Sequence, residues 1–151
     1  MIPMETDGRY DCLKLENQLC FPLYACAKEV VRRYRPLLDE LGITYTQYIT
    51  MMVLWEHRSM SVKNIGETVC LDSGTLTPLL KKLEEKGFVE RGRSPDDERV
   101  LTVTVTEKGM GLRDRALSVP GAIASCIPLS AEDAVTLARI LRDLKSALNA
   151  Q

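Results

Sequence analysis

The 151-residue chain has no basic surplus: 20 lysines and arginines stand against 21 aspartates and glutamates, a net charge of −1. A surface that grips phosphates ordinarily shows such a surplus, so any nucleic-acid contact has to come from local placement of charge. Histidine is reduced to His57, and the five cysteines, Cys12, Cys20, Cys26, Cys70 and Cys126, contain no CxxC pair, which excludes the common zinc spacings. Their odd number and uneven spacing also speak against a disulfide framework, so most are expected to be small buried hydrophobes. No metal and no cofactor is expected. Long hydrophobic runs are missing too. The most apolar stretch, 49–55, falls far short of the roughly 20 residues of a membrane span. Near the N-terminus stand Glu5, Asp7 and Asp11 instead of a basic-then-apolar leader. The expectation is one soluble cytoplasmic domain without membrane contact, large enough to bury a core without staples.

What is present is helical periodicity with well-marked ends. Over 13–41 the apolar residues Leu15, Leu19, Leu23, Ala27, Val30, Val31, Leu37 and Leu38 recur at three- and four-residue steps, predicting a long amphipathic helix closed by Gly42. Pro22 and Pro36 interrupt it, each as a kink or a boundary. Thr44 and Gln47 have capping-box spacing before a second helix, 45–57, apolar on nearly every face and therefore central. Ser61 caps a short third helix to Val69, and Asp72 or Ser73 a fourth that ends at Gly87. Pro78 leaves open a later start at Thr77, with the proline at the first helical position. Beyond Gly87 the period changes to two. Residues 88–93, a turn at 94–98, and Leu101, Val103 and Val105 alternating with threonines predict a two-stranded hairpin. Thr106 starts a further helix that Pro120-Gly121 should break. Ser130 with Asp133 caps a last one with Ala134, Leu137, Leu141, Leu144 and Leu148 on one stripe.

Helix, short helix, tight connection, helix and hairpin is the order of a winged helix-turn-helix, whose second helix enters the DNA major groove. The fold class is mainly α with a small β-hairpin wing. Ser73, Thr75 and Thr77 put hydroxyls at the start of the recognition helix beside Pro78, followed by Lys81 and Lys82. Hydroxyls meet base edges or phosphates, and lysines favour phosphates. Arg91, Arg93 and Arg99 surround the hairpin tip, where an arginine can enter a narrow minor groove, and Asp97 is close enough to aim Arg99. An ordinary capped surface helix and a solvated turn are the plain alternatives.

The stretch from Leu71 through Asp72, Ser73, Gly74, Thr75, Leu76, Thr77 and Pro78 to Leu83, with Asp97-Glu98-Arg99 in the wing, resembles the MarR family of regulators. The run from Leu15 to Phe21 and the block Tyr34-Arg35-Pro36-Leu37-Leu38 resemble its organic hydroperoxide-sensing branch. The resemblance implies a homodimer joined by the helices in 13–42 and 107–148, with a DNA-binding region at 44–105 that reads palindromic operator DNA. It implies that Cys20 is the peroxide-reactive thiol, that Tyr34 and Tyr45 of the partner support it, and that Cys126 is a resolving cysteine. The residues themselves are compatible with this: Phe21 and Tyr24 flank Cys20, and phenols stabilise a thiolate by hydrogen bonding, but no histidine or lysine lies within a helical turn of it, so any activation of the thiol has to come from tertiary contacts. Cys126, between the Pro120-Gly121 break and Pro128, is expected on a loosely held segment. Other readings stay open here: a repressor released by a non-covalent aromatic ligand, a thiol peroxidase, or a dimeric interaction module.

Overall fold

The computed structural model describes residues 8–151, and among them lie seven α-helices and three strands. Two 3-10 turns, Gly8–Leu13 and Leu15–Asn17, precede α1 (Cys20–Asp39). The long N-terminal helix therefore starts at Cys20 and not at residue 13. Proline explains the start: a helix begun at Cys20 puts Pro22 in its first turn, where the missing N–H has no partner to lose. Pro36 remains inside α1. Gly42, at φ +71°, closes the end, with its N–H on the Asp39 carbonyl at 3.1 Å and that of Ile43 on Leu38 at 3.2 Å.

The helix α2 (Tyr45–His57) begins on the complete capping box of Thr44 and Gln47 and is the centre of the core. Met51 and Leu54 have no exposed surface, Tyr48 and Thr50 almost none, and α1, α3, α4, α5 and the sheet all pack against it. Arg58 ends it in an unusual conformation, φ +67° and ψ −44°, and its carbonyl accepts the Val105 N–H at 2.9 Å. The chain then forms β1 (Ser59–Ser61), α3 (Val62–Val69), α4 (Ser73–Glu85), β2 (Val89–Arg93), β3 (Leu101–Val105) and α5 (Glu107–Arg115).

The expected hairpin is there, with Val89 opposite Val105 and Arg93 opposite Leu101, but it belongs to a three-stranded antiparallel sheet. The additional strand β1 pairs Ser59 with Thr104 and Ser61 with Thr102, in the order β1-β3-β2. Three residues, Ser-Met-Ser, are too short to display a period, and only β3 across from them makes them a strand.

The Pro120-Gly121 pair does not break a helix. The interruption falls earlier, after Arg115, and α6 (Val119–Cys126) runs through the pair with Pro120 in its first turn. The same rule that placed Pro22 applies. The chain divides into two compact units, 1–119 and 120–151. In the second, α7 (Ala131–Asn149) starts on Ser130, which accepts the Asp133 N–H at 3.0 Å. No residue of α7 is buried: Val135, Leu137, Ile140, Leu141, Leu144 and Leu148 all stand exposed.

Candidate nucleic-acid interface and thiol site

The recognition helix α4 starts at Ser73, because the Asp72 carboxylate accepts the Thr75 N–H at 2.8 Å and Asp72 itself is extended. The alternative start at Thr77 is thereby removed, and Pro78 sits within the helix at the cost of one backbone bond, the carbonyl of Gly74 four residues back going without its helical donor. Leu76, Leu79, Leu80 and Leu83 bury one face. Ser73, Thr75, Thr77, Pro78, Lys81 and Lys82 are all exposed on the other. The helix ends as its sequence requires: Gly87 at φ +80°, its N–H on Glu84, and the Phe88 N–H on Leu83 at 3.0 Å.

At the wing tip the Ser94 N–H donates to Val100 at 2.8 Å. Asp97 accepts both the backbone N–H of Arg99, at 3.0 Å, and its Nε, at 3.2 Å. These bonds, the backbone one first, hold the Asp97 carboxyl below the usual carboxylate range. Arg99 is thus directed while its side chain remains 91% exposed. Arg93 is exposed at the end of β2. Arg91 does not join them. Its Nε and Nη2 donate to Glu84 Oε1 at 3.3 and 3.0 Å, and its backbone N–H to Oε2 at 3.0 Å, tying the wing root to the recognition helix. The Arg91 guanidinium, and after it the Arg91 backbone N–H, lower the Glu84 carboxyl below its ordinary value. Seven residues across a glycine turn offer no periodic signal by which this pair could be read from sequence.

Two glycines let this region close up. A Cβ on Gly66 would lie 2.9 Å from the Leu71 carbonyl, in the turn between α3 and α4. One on Gly109 would lie 2.2 Å from the Phe88 carbonyl oxygen, where α5 docks against the start of the wing and Trp55 Nε1 donates to the Gly109 carbonyl at 2.8 Å.

Cys20 is the first residue of α1, exposed, with exposed Phe21 and Tyr24 beside it. Tyr34 and Tyr45 form an aromatic cluster with Tyr48: ring centroids are 4.9 Å apart between Tyr34 and Tyr45 and 5.8 Å between Tyr34 and Tyr48. Burial first, then the neighbouring phenols, raises the pKa of Tyr34, and burial with Tyr45 raises that of Tyr48, so both remain O–H donors at neutral pH. Fourteen residues of helix, about 21 Å of rise, separate Cys20 from Tyr34, so one chain does not bring thiol and phenols together. Tyr45 also lines an open cleft of about 700 Å³ with Leu38, Ile43 and Ile49, and its charged lining comprises Lys28, Arg32, Arg35 and Asp39. All five cysteines are exposed, against the expectation of burial: Cys12 precedes the core, the faces of α1 and α6 bearing Cys20, Cys26 and Cys126 are open, and Cys70 occupies a left-handed turn at φ +59°. Cys126 is the last residue of α6 and not part of a loose connector.

A helix-turn-helix backed by a three-stranded wing, with an exposed polar face on its second helix, defines the class of winged-helix DNA-binding regulators. The sequence profile of the SarA/Rot transcriptional regulators matches residues 32–115. The organic hydroperoxide resistance transcriptional regulator of Bacillus subtilis is 47% identical over 142 residues, 94% of this chain and 92% of that one. Among solved structures, reduced AbfR bound to DNA superposes with a TM-score of 0.77 at 34% identity, covering 94% of this chain and 97% of that one. Disulfide-formed AbfR gives 0.65 at 33% identity, covering 97% and 98%; AbfR is a protein of Staphylococcus epidermidis. The chain belongs to the MarR family of transcriptional regulators, in the branch of the organic hydroperoxide resistance regulators. Its relatives are regulators and not enzymes, which removes the thiol peroxidase reading.

Proposed function

We propose that a homodimer of this chain represses transcription by holding a palindromic operator, and releases it when Cys20 is oxidised by an organic hydroperoxide. The observation that carries the reading is the separation within α1: an exposed thiol at one end and phenol donors at the other meet only if a second copy lies antiparallel alongside. The exposed apolar residues of α1, among them Phe21, Leu23, Val30 and Val31, and those of α7 support pairing through 13–42 and 107–148. Tyr34 and Tyr45 of the partner then donate hydrogen bonds to the thiolate of Cys20. The thiolate attacks the hydroperoxide, the O–O bond breaks, and with one proton taken up the products are a Cys20 sulfenic acid and an alcohol. The thiol of the partner's Cys126 displaces the sulfenic hydroxyl, forming an intersubunit disulfide and water. AbfR, solved in reduced DNA-bound and disulfide forms, is a relative in which both states exist.

On DNA, Ser73, Thr75, Thr77, Pro78 and Lys81 face the major groove, while Arg93 and the Asp97-aimed Arg99 reach from the wing. Two such modules must sit about 34–36 Å apart to match successive half-sites, so a modest rotation of one releases both. The test is a gel shift on a duplex selected by the reduced protein from a random-sequence pool. Cumene hydroperoxide is expected to release the wild type and not Cys20→Ser; equal release of the two overturns the reading. Cys126→Ser is expected to lose the intersubunit band on a non-reducing gel. The cleft beside Tyr45 favours a second reading, release by a non-covalent aromatic ligand, which predicts displacement of Cys20→Ser without any oxidant.

A further inference from the structure

We propose that Lys86 is the positioning residue that transmits the state of the Tyr45 corner to the recognition helix. The inference rests on the reading that Tyr45 supports the Cys20 thiol of a second copy. A helix C-terminus attracts cations, yet α1 has no basic residue in its last turn. Its cations come from distant parts of the chain. Arg115 Nη2 donates to the Glu40 carbonyl at 2.8 Å, and Lys86 Nζ donates to the Gly42 carbonyl just beyond the end of the helix.

The same ammonium donates to Gln47 Oε1 at 3.3 Å. That oxygen already accepts the Thr44 N–H at 3.0 Å as half of the capping box of α2. Tyr45 is the first residue of α2, so Lys86 grips the chain on both sides of it, three residues before and two after. At its other end Lys86 is the C-cap of α4: its N–H donates to Lys82 at 3.1 Å, and its carbonyl accepts Lys108 Nζ at 2.8 Å.

The helices α2 and α4 also pack directly on each other, and the buried residues of α4 are all leucines. Apolar packing is non-directional and allows a small shear of one helix on another. A bonded ammonium does not: moving the start of α2 either carries the end of α4 along or breaks two hydrogen bonds. Gln47 is buried at 3% exposure, so the Gln47 half of this junction is partly sheltered while the bond to the Gly42 carbonyl faces solvent. Oxidation that draws Tyr45 from its place therefore moves the recognition helix from its C-terminal end, leaving the base-facing first turns intact but re-aimed.

The test compares duplex affinity before and after stoichiometric cumene hydroperoxide, by fluorescence anisotropy on the selected duplex, in full-length wild type, Lys86→Met, Lys86→Arg and Gln47→Glu. Mass spectrometry follows Cys20 oxidation in the same samples. Lys86→Met is expected to oxidise at the wild-type rate while the ratio of reduced to oxidised affinity shrinks at least fivefold. Lys86→Arg should restore the ratio. Gln47→Glu, which turns the contact into an ion pair and keeps the capping oxygen, should preserve or widen it. A merely structural role for Lys86 would lower both affinities together and leave the ratio alone, and that outcome overturns the proposal. If Lys86→Met does not fold, a ratio reduced in Gln47→Glu overturns it instead. Retention of the duplex by oxidised wild type refutes the sensing reading itself and this coupling with it.

Discussion

Two alanine substitutions in one short helix should have opposite signs. In α5, Gly109 meets the Phe88 carbonyl oxygen so closely that an added Cβ would sit 2.2 Å from it and 2.7 Å from Val105 Cγ2, both attached to structure that cannot swing aside. The helix must therefore withdraw by nearly an ångström, which costs about 1–3 kcal/mol as overpacking. Withdrawal also strains the buried bond from Trp55 Nε1 to the Gly109 carbonyl, another ~1–3 kcal/mol if the indole N–H is left unpaired. Against this stands the helical preference of alanine over glycine, about 1 kcal/mol. The net is a loss of about 3 kcal/mol, near 6–12 °C in melting temperature for a domain of this size. Gly111, two residues on, has nothing within 4 Å of its added Cβ, so only the helical gain of up to ~1 kcal/mol remains. Calorimetry at one fixed protein concentration measures both, since an oligomer melts in a concentration-dependent way. Gly109→Ala melting within a degree of wild type, or the two variants shifting alike, would refute the close approach of α5 to the wing.

The Glu84–Arg91 pair predicts a pH effect: because its folded pKa is depressed below the ordinary 4.5, its contribution is complete above that value and is lost as pH falls through the lower folded pKa. Glu84→Gln should therefore show a flatter acid limb than wild type in a series of melts below pH 4.5, and identical limbs would contradict the pairing. At the wing, Arg99→Ala is expected to weaken binding across all duplex sequences and to reduce the slope of log affinity against log salt by about 1. Asp97→Ala, which frees the direction of Arg99 but keeps its charge, should lower affinity with the slope unchanged. A lost slope in both variants would mean that aim is irrelevant.

Much of the architecture lay in local chemistry. Thr44, Ser61, Asp72, Thr106 and Ser130 all cap the helices whose starts they announce, because a hydroxyl or carboxylate two or three residues ahead of free N–H groups is satisfied within its own turn. Gly42 and Gly87 close helices for a similarly local reason, a positive φ that other residues avoid. The prolines were readable only in part. Pro22 and Pro120 look like breakers in a linear pattern, yet they open helices, since their effect depends on where the first turn falls. The exposed Ser73, Thr75, Thr77, Pro78 and Lys81 of the recognition helix were legible from caps and hairpin together, whereas the turning of Arg91 away from the tip was not.

By itself the sequence determined the capped starts of five helices, the two strands of the hairpin and which helix faces are apolar, whereas the start of α1 at Cys20, about 21 Å of helix from Tyr34, came from the structure. The former properties follow from spacings of a few residues and from backbone geometry that operates within a turn. Only the tertiary structure decided the third strand, the grip of Glu84 on Arg91, the tight seat of Gly109, and the meeting of Lys86 with Gly42 and Gln47. Each of these joins groups from separate elements, where burial and the saturation of backbone carbonyls choose the partner and sequence distance does not.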